Sequence, residues 1–412
     1  MRVSLIVIGD ELLIGQVIDT NSGWIAGRLN DINIRLVKIY TVQDERQAIE
    51  SALAQALADT DIVLTTGGLG PTKDDITKSV LSSYFGFPLE FHQRTWDRIS
   101  AYFTSRGRTL GEQHKEQCYM PIGAEVLDND LGTAPGMWFS KDGKQVIAMQ
   151  GVPFEMKHIM EKYVLPRLDT KNNSIRHYTL HTVGVGETDL AERLSDFEPN
   201  LPEGVKLAYL PSIGMVRLRL SSYNEQLNKL PVFDELCDRM KSLVAEFVFG
   251  EGNTTFEESL GKLLLSRNLK LTTAESCTGG WIAHKITSTP GSSEWFRGGI
   301  IPYTNELKSN ILGVPADIFT TEGAVSEPTV VNMVKGALKK LGGDIALATS
   351  GIAGPGGGTD QKPVGTVWIA VGDKDNAVTK KIVFNKDRLR NIEFFGIYAM
   401  NMVRKFIIAQ YL

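Results

Sequence analysis

The sequence predicts an α/β protein in three parts, with a sheet domain at each end and a small α+β module between them. Three observations predict it. Strand-length apolar runs alternate with helix-length amphipathic segments up to about residue 168, and again from 256 onward. Between these stretches the pattern changes to strands of two-residue alternation around short helices. Two polar stretches, KNNS at 171–174 and GEGNTTF at 250–256, separate the parts and place them at 1–170, 171–251 and 252–412. A chain of 412 residues exceeds one ordinary core, so two or three domains are expected.

In the first part, VSLIVI at 3–8 reads as a buried strand and NSGWIAGRLNDI at 21–32 as a helix capped by Asn21 or Ser22. IRLVKIYTV at 34–42 is a second strand, RQAIESALAQALADT at 46–60 a helix, and DIVLTTGG at 61–68 a third strand ending in glycines. DITKSVLSSYFG at 75–86 is a helix closing on Gly86. This order argues for a largely parallel sheet flanked by helices.

In the second part, 175–185 alternates like a strand, 188–197 is a short helix, 205–222 gives two strands around Pro211 and Gly214, and 225–248 is helical despite Pro231. The third part runs helix 256–268, strand 269–274, helix 278–288, strand 298–304, helices 304–312 and 327–342, then strands 344–350, 365–372 and 378–384. A long closing helix runs from Leu389 to about Ala409. No internal repeat or low-complexity tract interrupts this order.

Composition narrows the function classes. Apolar residues at 42% and charged residues at 22% describe a soluble globular protein. A formal net charge of −4 offers no general attraction for nucleic acid or an anionic membrane, so neither partner is expected. Cys118, Cys237 and Cys277 are odd in number and far apart, which fits neither a disulfide framework nor a zinc site and suits a reducing cytoplasm. No run reaches the roughly 20 apolar residues of a membrane span, and MRVSLIVIGDELL reads as a first strand, not a signal peptide.

In the first part the densest motif is TTGGLGPTKDD at 65–75. A strand ends there, Gly67, Gly68 and Gly70 let the backbone approach a ligand, and a helix expected to begin near Asp75 directs free N–H groups at it. The pattern suits a phosphate or pyrophosphate, although it is neither a dinucleotide GxGxxG nor a Walker A loop. Asp74 and Asp75 either stabilise the macrodipole of that helix or hold a hard divalent cation against a pyrophosphate. Asp10 and Glu11 follow the first strand, where carboxylates meet the carboxyl edge of a parallel sheet. NDLGTAPG at 129–136 and GVPFEMK at 151–157 are two further ligand-contact loops.

In the third part, Ser276, Ser292, Ser293, Ser350, Tyr303 and Lys308 stand among glycines, an amide-hydrolase inventory without a suitably placed histidine, since His284 falls inside a helix. A lysine base is therefore the expected partner of the nucleophile. Ser293 lies in a Gly-Ser-Ser turn, with Lys308 fifteen residues on, after a strand that could return the chain beside it. Ser293 is the leading nucleophile and Lys308 the general base, with a depressed pKa required of the lysine. Tyr303, expected on the intervening strand, either relays a proton or orients Lys308, or else fills core. Ser276 is the alternative nucleophile, since ESCTGG ends a strand and opens a helix as a nucleophile elbow does; its bland reading is a helix cap. Cys277 is expected as buried core, not a thiolate. SGIAGPGGG at 350–358 supplies N–H groups for a phosphate or oxyanion with Ser350 as hydroxyl donor, and Arg388 either pairs the phosphate or is solvated.

These motifs carry a resemblance. GDELLxGxxxDTN, TTGGLGPTxDD, GTAPG and GVPxEMK are similar, in order and spacing, to the N-terminal domain of the CinA family, related in fold to molybdopterin-binding proteins of the MoaB/MogA type. Met149 and Gln150 stand where that family has Leu-Pro. AESCTGGWIAHKIT, PGSSEWFRGGIIPYTNELK, GAVSEP, SGIAGPGGG and KPVGTVW resemble its C-terminal nicotinamide mononucleotide deamidase domain.

The resemblance implies a molybdopterin-binding-like sheet domain acting as a metal-dependent ADP-ribose pyrophosphatase, a KH-like α+β middle module, and an α/β deamidase domain. It implies a divalent cation (Mg, Mn or Co) held by Asp74, Asp75, Asp10 and Glu11, and none at the C-terminal site. Substrate contacts would come from Thr66, Gly67, Gly68, Gly70, Thr72, Gly132 and Thr133 in the first domain. In the third they would come from Ser276, Thr278, Gly279, Ser350, Gly351, Gly354 and Arg388. The implied partners are the two nucleotides and a second copy of the chain in a homodimer. In the middle module the nearest thing to a nucleic-acid-clamping GXXG loop is GVGE at 184–187, which ends in an acid. The competing classes are a competence- or recombination-associated binding protein, which needs a basic surface, and a molybdopterin-binding protein, which leaves the amidase motifs unused.

Overall fold

The computed structural model describes residues 1–72, 74–107, 111, 113–168 and 175–411. The chain forms two compact units, Met1–Ser174 and Ile175–Leu412. The boundary expected at KNNS lies outside the described residues.

The first unit is built on strands β1 (Val3–Ile8), β2 (Leu36–Val42), β3 (Ile62–Thr66), β6 (Glu125–Leu127), β7 (Gly136–Lys141) and β8 (Lys144–Met149), in the order β2-β1-β3-β8-β7-β6. The first four in that order are parallel; β7 and β6 add antiparallel at one edge. Along β1 every side chain is buried, Val3, Leu5 and Val7 entering one core and Ile6 and Ile8 the other. Burial on both faces explains why the strand reads as a continuous apolar run. Helices Asn21–Asp31 and Pro153–Ile159 cover the first face, and Arg46–Asp59 and Thr77–Phe85 the second. Between 86 and 124 lie the short pair β4 (Leu89–Phe91) and β5 (Tyr119–Pro121) and the helix Gln93–Thr104.

The second unit contains the middle module and the C-terminal domain. The module is an antiparallel sheet of β9 (Arg176–Val183), β10 (Val205–Ser212), β11 (Met215–Ser222) and β12 (Val248–Glu251), ordered β10-β11-β9-β12, with one core containing Leu180, Leu218 and Met240. The single helix expected over 225–248 is broken. Asn224 caps a first turn at Glu225–Asn228, and Pro231 precedes a second helix, Val232–Leu243, because its ring cannot sit in a helix interior.

The C-terminal sheet has the order β14-β13-β15-β16-β17, from β13 (Leu271–Glu275), β14 (Phe296–Ile300), β15 (Ile345–Gly351), β16 (Thr366–Gly372) and β17 (Ala377–Val383). Strands β14, β13 and β15 are parallel, so their carboxyl ends share one edge; β16 pairs antiparallel to β15, and β17 antiparallel to β16. The closing helix runs Arg388–Tyr411 and packs with Phe256–Ser266 into the largest apolar cluster, while Glu327–Leu341 covers the other face. Among the described residues no helix is long and apolar enough to cross a membrane.

Candidate active sites

In the first unit the carboxyl ends of β1, β3 and β8 open onto a cavity of about 410 Å³. Glu11, Gly67, Gly68, Gly70, Asp74, Asp75 and Thr133 line it, with Gln150, with Glu155 from the expected 151–157 loop, and with Asp44, which no motif marked. Gly67 has φ of 109° and a Cβ there would stand 2.0 Å from the Ile8 carbonyl oxygen, so only glycine lets β3 turn away beside β1.

The glycine loop does not lead straight into a helix. The helix begins at Thr77 with Ile76 as cap, and Asp75 accepts hydrogen bonds from the backbone N–H (2.9 Å) and hydroxyl of Thr72. Asp74 and Asp75 are therefore loop carboxylates, not helix-start charges. Two predicted contacts are occupied within the protein. Thr66 Oγ1 donates to the Gln150 carbonyl (2.8 Å) and accepts from Asn21 Nδ2, tying β3 to β8; the Thr72 hydroxyl is held by Asp75. The carbonyls of Gly132 and Thr133 accept from Arg98, whose guanidinium also holds the Asn129 carbonyl. Asp10 does not line the cavity; its backbone N–H donates to Asp44 at 3.2 Å.

Asp44 carries the electrostatic signature. Burial raises its carboxyl above the usual range, the Asp10 N–H opposes this, and the negative charges of Asp10, Glu11 and Asp75 add to the rise. Among the described residues none of these carboxylates makes an ion pair with a lysine or arginine. Nor do three or more acidic, His or Cys side chains form a preassembled metal cage. Uncompensated carboxylates without a full cage fit a hard cation that takes one or two carboxylates and completes its shell with phosphate oxygens and water.

In the C-terminal domain the site gathers at the carboxyl edge of β13 and β15. Glu275, the last residue of β13 and 1% exposed, accepts the backbone N–H groups of Gly280 (3.1 Å), Ile282 (3.0 Å) and Ala283 (2.8 Å). It thus caps the helix Trp281–Thr287, the role that Ser276 had as its bland alternative. Ser276 is buried, and its hydroxyl has no hydrogen-bond partner among the described residues. Its backbone N–H donates to Thr349, and Gly279, at φ of 61°, turns the chain back onto the Ser276 carbonyl. The Thr278 hydroxyl meets that of Thr349 at 2.8 Å. Replacing Glu275 by Gln puts an amide N–H against those backbone donors and is expected to cost about 2 kcal/mol; an unchanged denaturation midpoint would remove the cap.

Lys308 lies on the helix Asn305–Leu312, which Thr304 caps, and is only 2% exposed. Its ammonium donates to the Tyr303 carbonyl at 3.2 Å. Burial drives its pKa below the ordinary lysine value, and only a charged Cys277 would oppose this. Cys277 itself is pushed up to about 12 by burial, so it stays a thiol, as the core reading expected.

The structure does not bring Ser293 to Lys308. Ser293 lies on the exposed turn before β14, and Tyr303 and Lys308 follow it, so the five residues of β14, about 16 Å of extended chain, separate the two edges. The neighbours of Ser293 belong to the amino edge, where Lys270 holds the Glu294 carbonyl. Tyr303 is in the loop after β14, not on the strand, and is 56% exposed, which excludes a core role. Its phenol accepts from Arg388 (3.2 Å), whose other nitrogen donates to the Gly354 carbonyl (2.7 Å). Arg388 thereby joins the 303 loop to the 354 loop. Ser350, 1% exposed, gives its hydrogen to the Ala324 carbonyl at 2.7 Å and is not the free donor expected. Gly351 stays within β15, where a Cβ would meet the Thr366 carbonyl at 2.6 Å.

Two α/β sheets each present glycine turns and ionisable side chains at a carboxyl edge, the place where open parallel sheets generally take their ligands. Comparison with known proteins gives the family. Residues 4–170 match the "Probable molybdopterin binding domain", 177–250 the "Damage-inducible protein CinA KH domain" and 253–407 the "CinA C-terminal domain". A CinA-like protein of Chloroherpeton thalassium is 42% identical over 99% of both chains, and one of Cytophaga hutchinsonii is 42% identical over 97% of both. The chain belongs to the CinA family.

Proposed function

We propose that the C-terminal domain hydrolyses the carboxamide of nicotinamide mononucleotide to nicotinic acid mononucleotide and ammonia, and that the N-terminal domain cleaves ADP-ribose to AMP and ribose 5-phosphate. The observation that carries the first activity is a desolvated lysine at the same sheet edge as a serine whose hydroxyl has no protein partner. Ser276 replaces Ser293 as nucleophile. Neutral Lys308 takes the Ser276 proton as Oγ attacks the amide carbon, and gives it to the departing nitrogen as the C–N bond breaks. Water then attacks the acyl-serine ester, its proton passing through Lys308 to Oγ. Among the described residues the backbone N–H groups of Cys277 and Thr278 donate to no backbone carbonyl and are suited to the developing oxyanion. Arg388 and Tyr303, held together at the mouth, suit the nucleotide phosphate. The substrate pyridinium adds positive charge that favours a neutral lysine.

For the N-terminal domain, Asp44, Asp75, Asp74 and Glu11, which line the cavity, would hold a divalent cation. That cation would neutralise the pyrophosphate and raise the acidity of an attacking water. The glycine loop admits the phosphates closely, and Arg98 fixes the 129–133 wall. Both partners are then small nucleotides, and no nucleic acid is required.

Both activities assayed in one preparation test this reading. EDTA is expected to stop ADP-ribose cleavage by at least about 100-fold and leave ammonia release unchanged. Asp44→Asn should raise the metal concentration needed for half-maximal cleavage. Loss of both activities with EDTA, or of neither, would refute the division of labour.

A further inference from the structure

A second cavity, of about 380 Å³, lies within the Ile175–Leu412 unit, between the GVG turn of the middle module and the closing helix. That size is ordinary for a small-molecule pocket. Its walls are mostly apolar, from Met215 and Val216 on one side and Phe394, Ile397 and Tyr398 on the other. The Phe394 wall is braced from behind, its ring stacked on Phe384 with centroids 3.9 Å apart.

Into this apolar space projects one amide. Asn401 is 4% exposed, it lines the cavity, and its Oδ1 is buried without a hydrogen-bond partner. No bond from its Nδ2 exists among the described residues either, and a Cβ at Gly184 would stand 2.6 Å from that nitrogen. Gly184, at φ of 73°, therefore leaves the amide uncovered. A buried, unpaired carboxamide costs stability, and the apolar wall gives it nothing to pair with. A carboxamide presents an acceptor beside a donor, and its complement is a ring edge with a donor beside an acceptor. Glu187 and Asp189 are the carboxylates lining the cavity and no lysine or arginine is among the lining residues, which disfavours an anionic ligand.

We propose that this pocket binds an uncharged planar heteroaromatic molecule, an aminopurine or an aryl carboxamide, by edge-on pairing with Asn401 between the walls formed by Met215 and Tyr398. The site is separate from the one at Ser276 and Lys308. A ligand there touches both the module and the closing helix that carries Arg388 at its start, which gives the middle module a sensing role.

The test is calorimetric titration of the whole chain with adenosine and, separately, with nicotinamide. The chain is held as the Ser276→Ala, Arg388→Ala double variant, so that binding at the deamidase site does not contribute. At least one probe should bind, and its affinity should fall at least tenfold in Asn401→Leu, which keeps the size and removes the pairing edge. Asn401→Leu should also melt no lower than its parent, because it removes an unpaired polar group. Met215→Trp, which fills the cavity from the opposite wall, repeats the binding test if Asn401→Leu does not fold. Adenosine binding alone assigns an aminopurine; nicotinamide binding alone assigns a carboxamide. Failure of both probes to bind, or binding that survives either substitution, overturns the proposal.

Discussion

Ser276→Ala is expected to lower ammonia release from nicotinamide mononucleotide by at least about 10⁴-fold, the scale on which removing a nucleophile collapses a coupled catalytic unit. Ser293→Ala should stay within about twofold of the parent. The contrast follows from position. The Ser276 hydroxyl has no partner among the described residues and lies at the carboxyl edge of β13, the edge that Lys308 also occupies after β14, whereas Ser293 is exposed before β14 at the other edge. Neither substitution removes a protein hydrogen bond, so both variants should melt with the parent, which makes an activity difference chemical. ADP-ribose cleavage serves as an internal control in the same sample. An active Ser276→Ala protein together with a dead Ser293→Ala protein would reverse the assignment.

The choice between these serines shows what the sequence carries and what it leaves open. The alternation of apolar runs was enough to place the parallel strands, because a strand buried on both faces is nearly continuous in apolar residues, as Val3–Ile8 is but for Ser4 and Ile345–Ala348 is throughout. The fold class and the order of the elements at both ends follow from that. Elements of three residues, such as Leu89–Phe91 and Tyr119–Pro121, carry too few positions to express a period and left no trace. Ser293 and Lys308 were both recognisable as chemistry-bearing, but a residue before a strand and one after it face opposite sheet edges, and the intervening β14 already implied their separation.

Glu275 was passed over although its place was legible: an acid at a strand end, followed by two glycines and a helix, is placed to cap that helix. Asp44 offered no such signal, since it reaches the acidic cavity only through the pairing of β2 beside β1. Thr66 and Ser350 have the right chemistry and the right loops, yet their hydroxyls are taken by the carbonyls of Gln150 and Ala324, long-range contacts that no local pattern encodes.

Lys308 links catalysis to stability in opposite directions. As a general base it must be neutral, so the deamidation rate should rise with pH through the folded-state lysine pKa, which burial places below the roughly 10.4 of a free side chain. Lys308→Arg should lose about 10³-fold, since a guanidinium stays protonated and cannot accept the serine proton. The same burial bears on folding. An unfolded lysine binds a proton more readily than the folded one, so stability rises with pH between the folded pKa and the unfolded value. Below the folded pKa the destabilisation is fully present, and above the unfolded pKa it is gone. Lys308→Met keeps the length and packing of the side chain and removes the charge. It should be inactive, more stable than the parent at neutral pH, and lacking the alkaline rise in stability attributable to this group. Urea denaturation at several pH values, beside the pH–rate profile of the parent, reads both effects. A Lys308→Met protein less stable than the parent at neutral pH would mean the amine is satisfied where it lies, through the Tyr303 carbonyl, and a lysine so satisfied has no reason to give up its proton and act as the base.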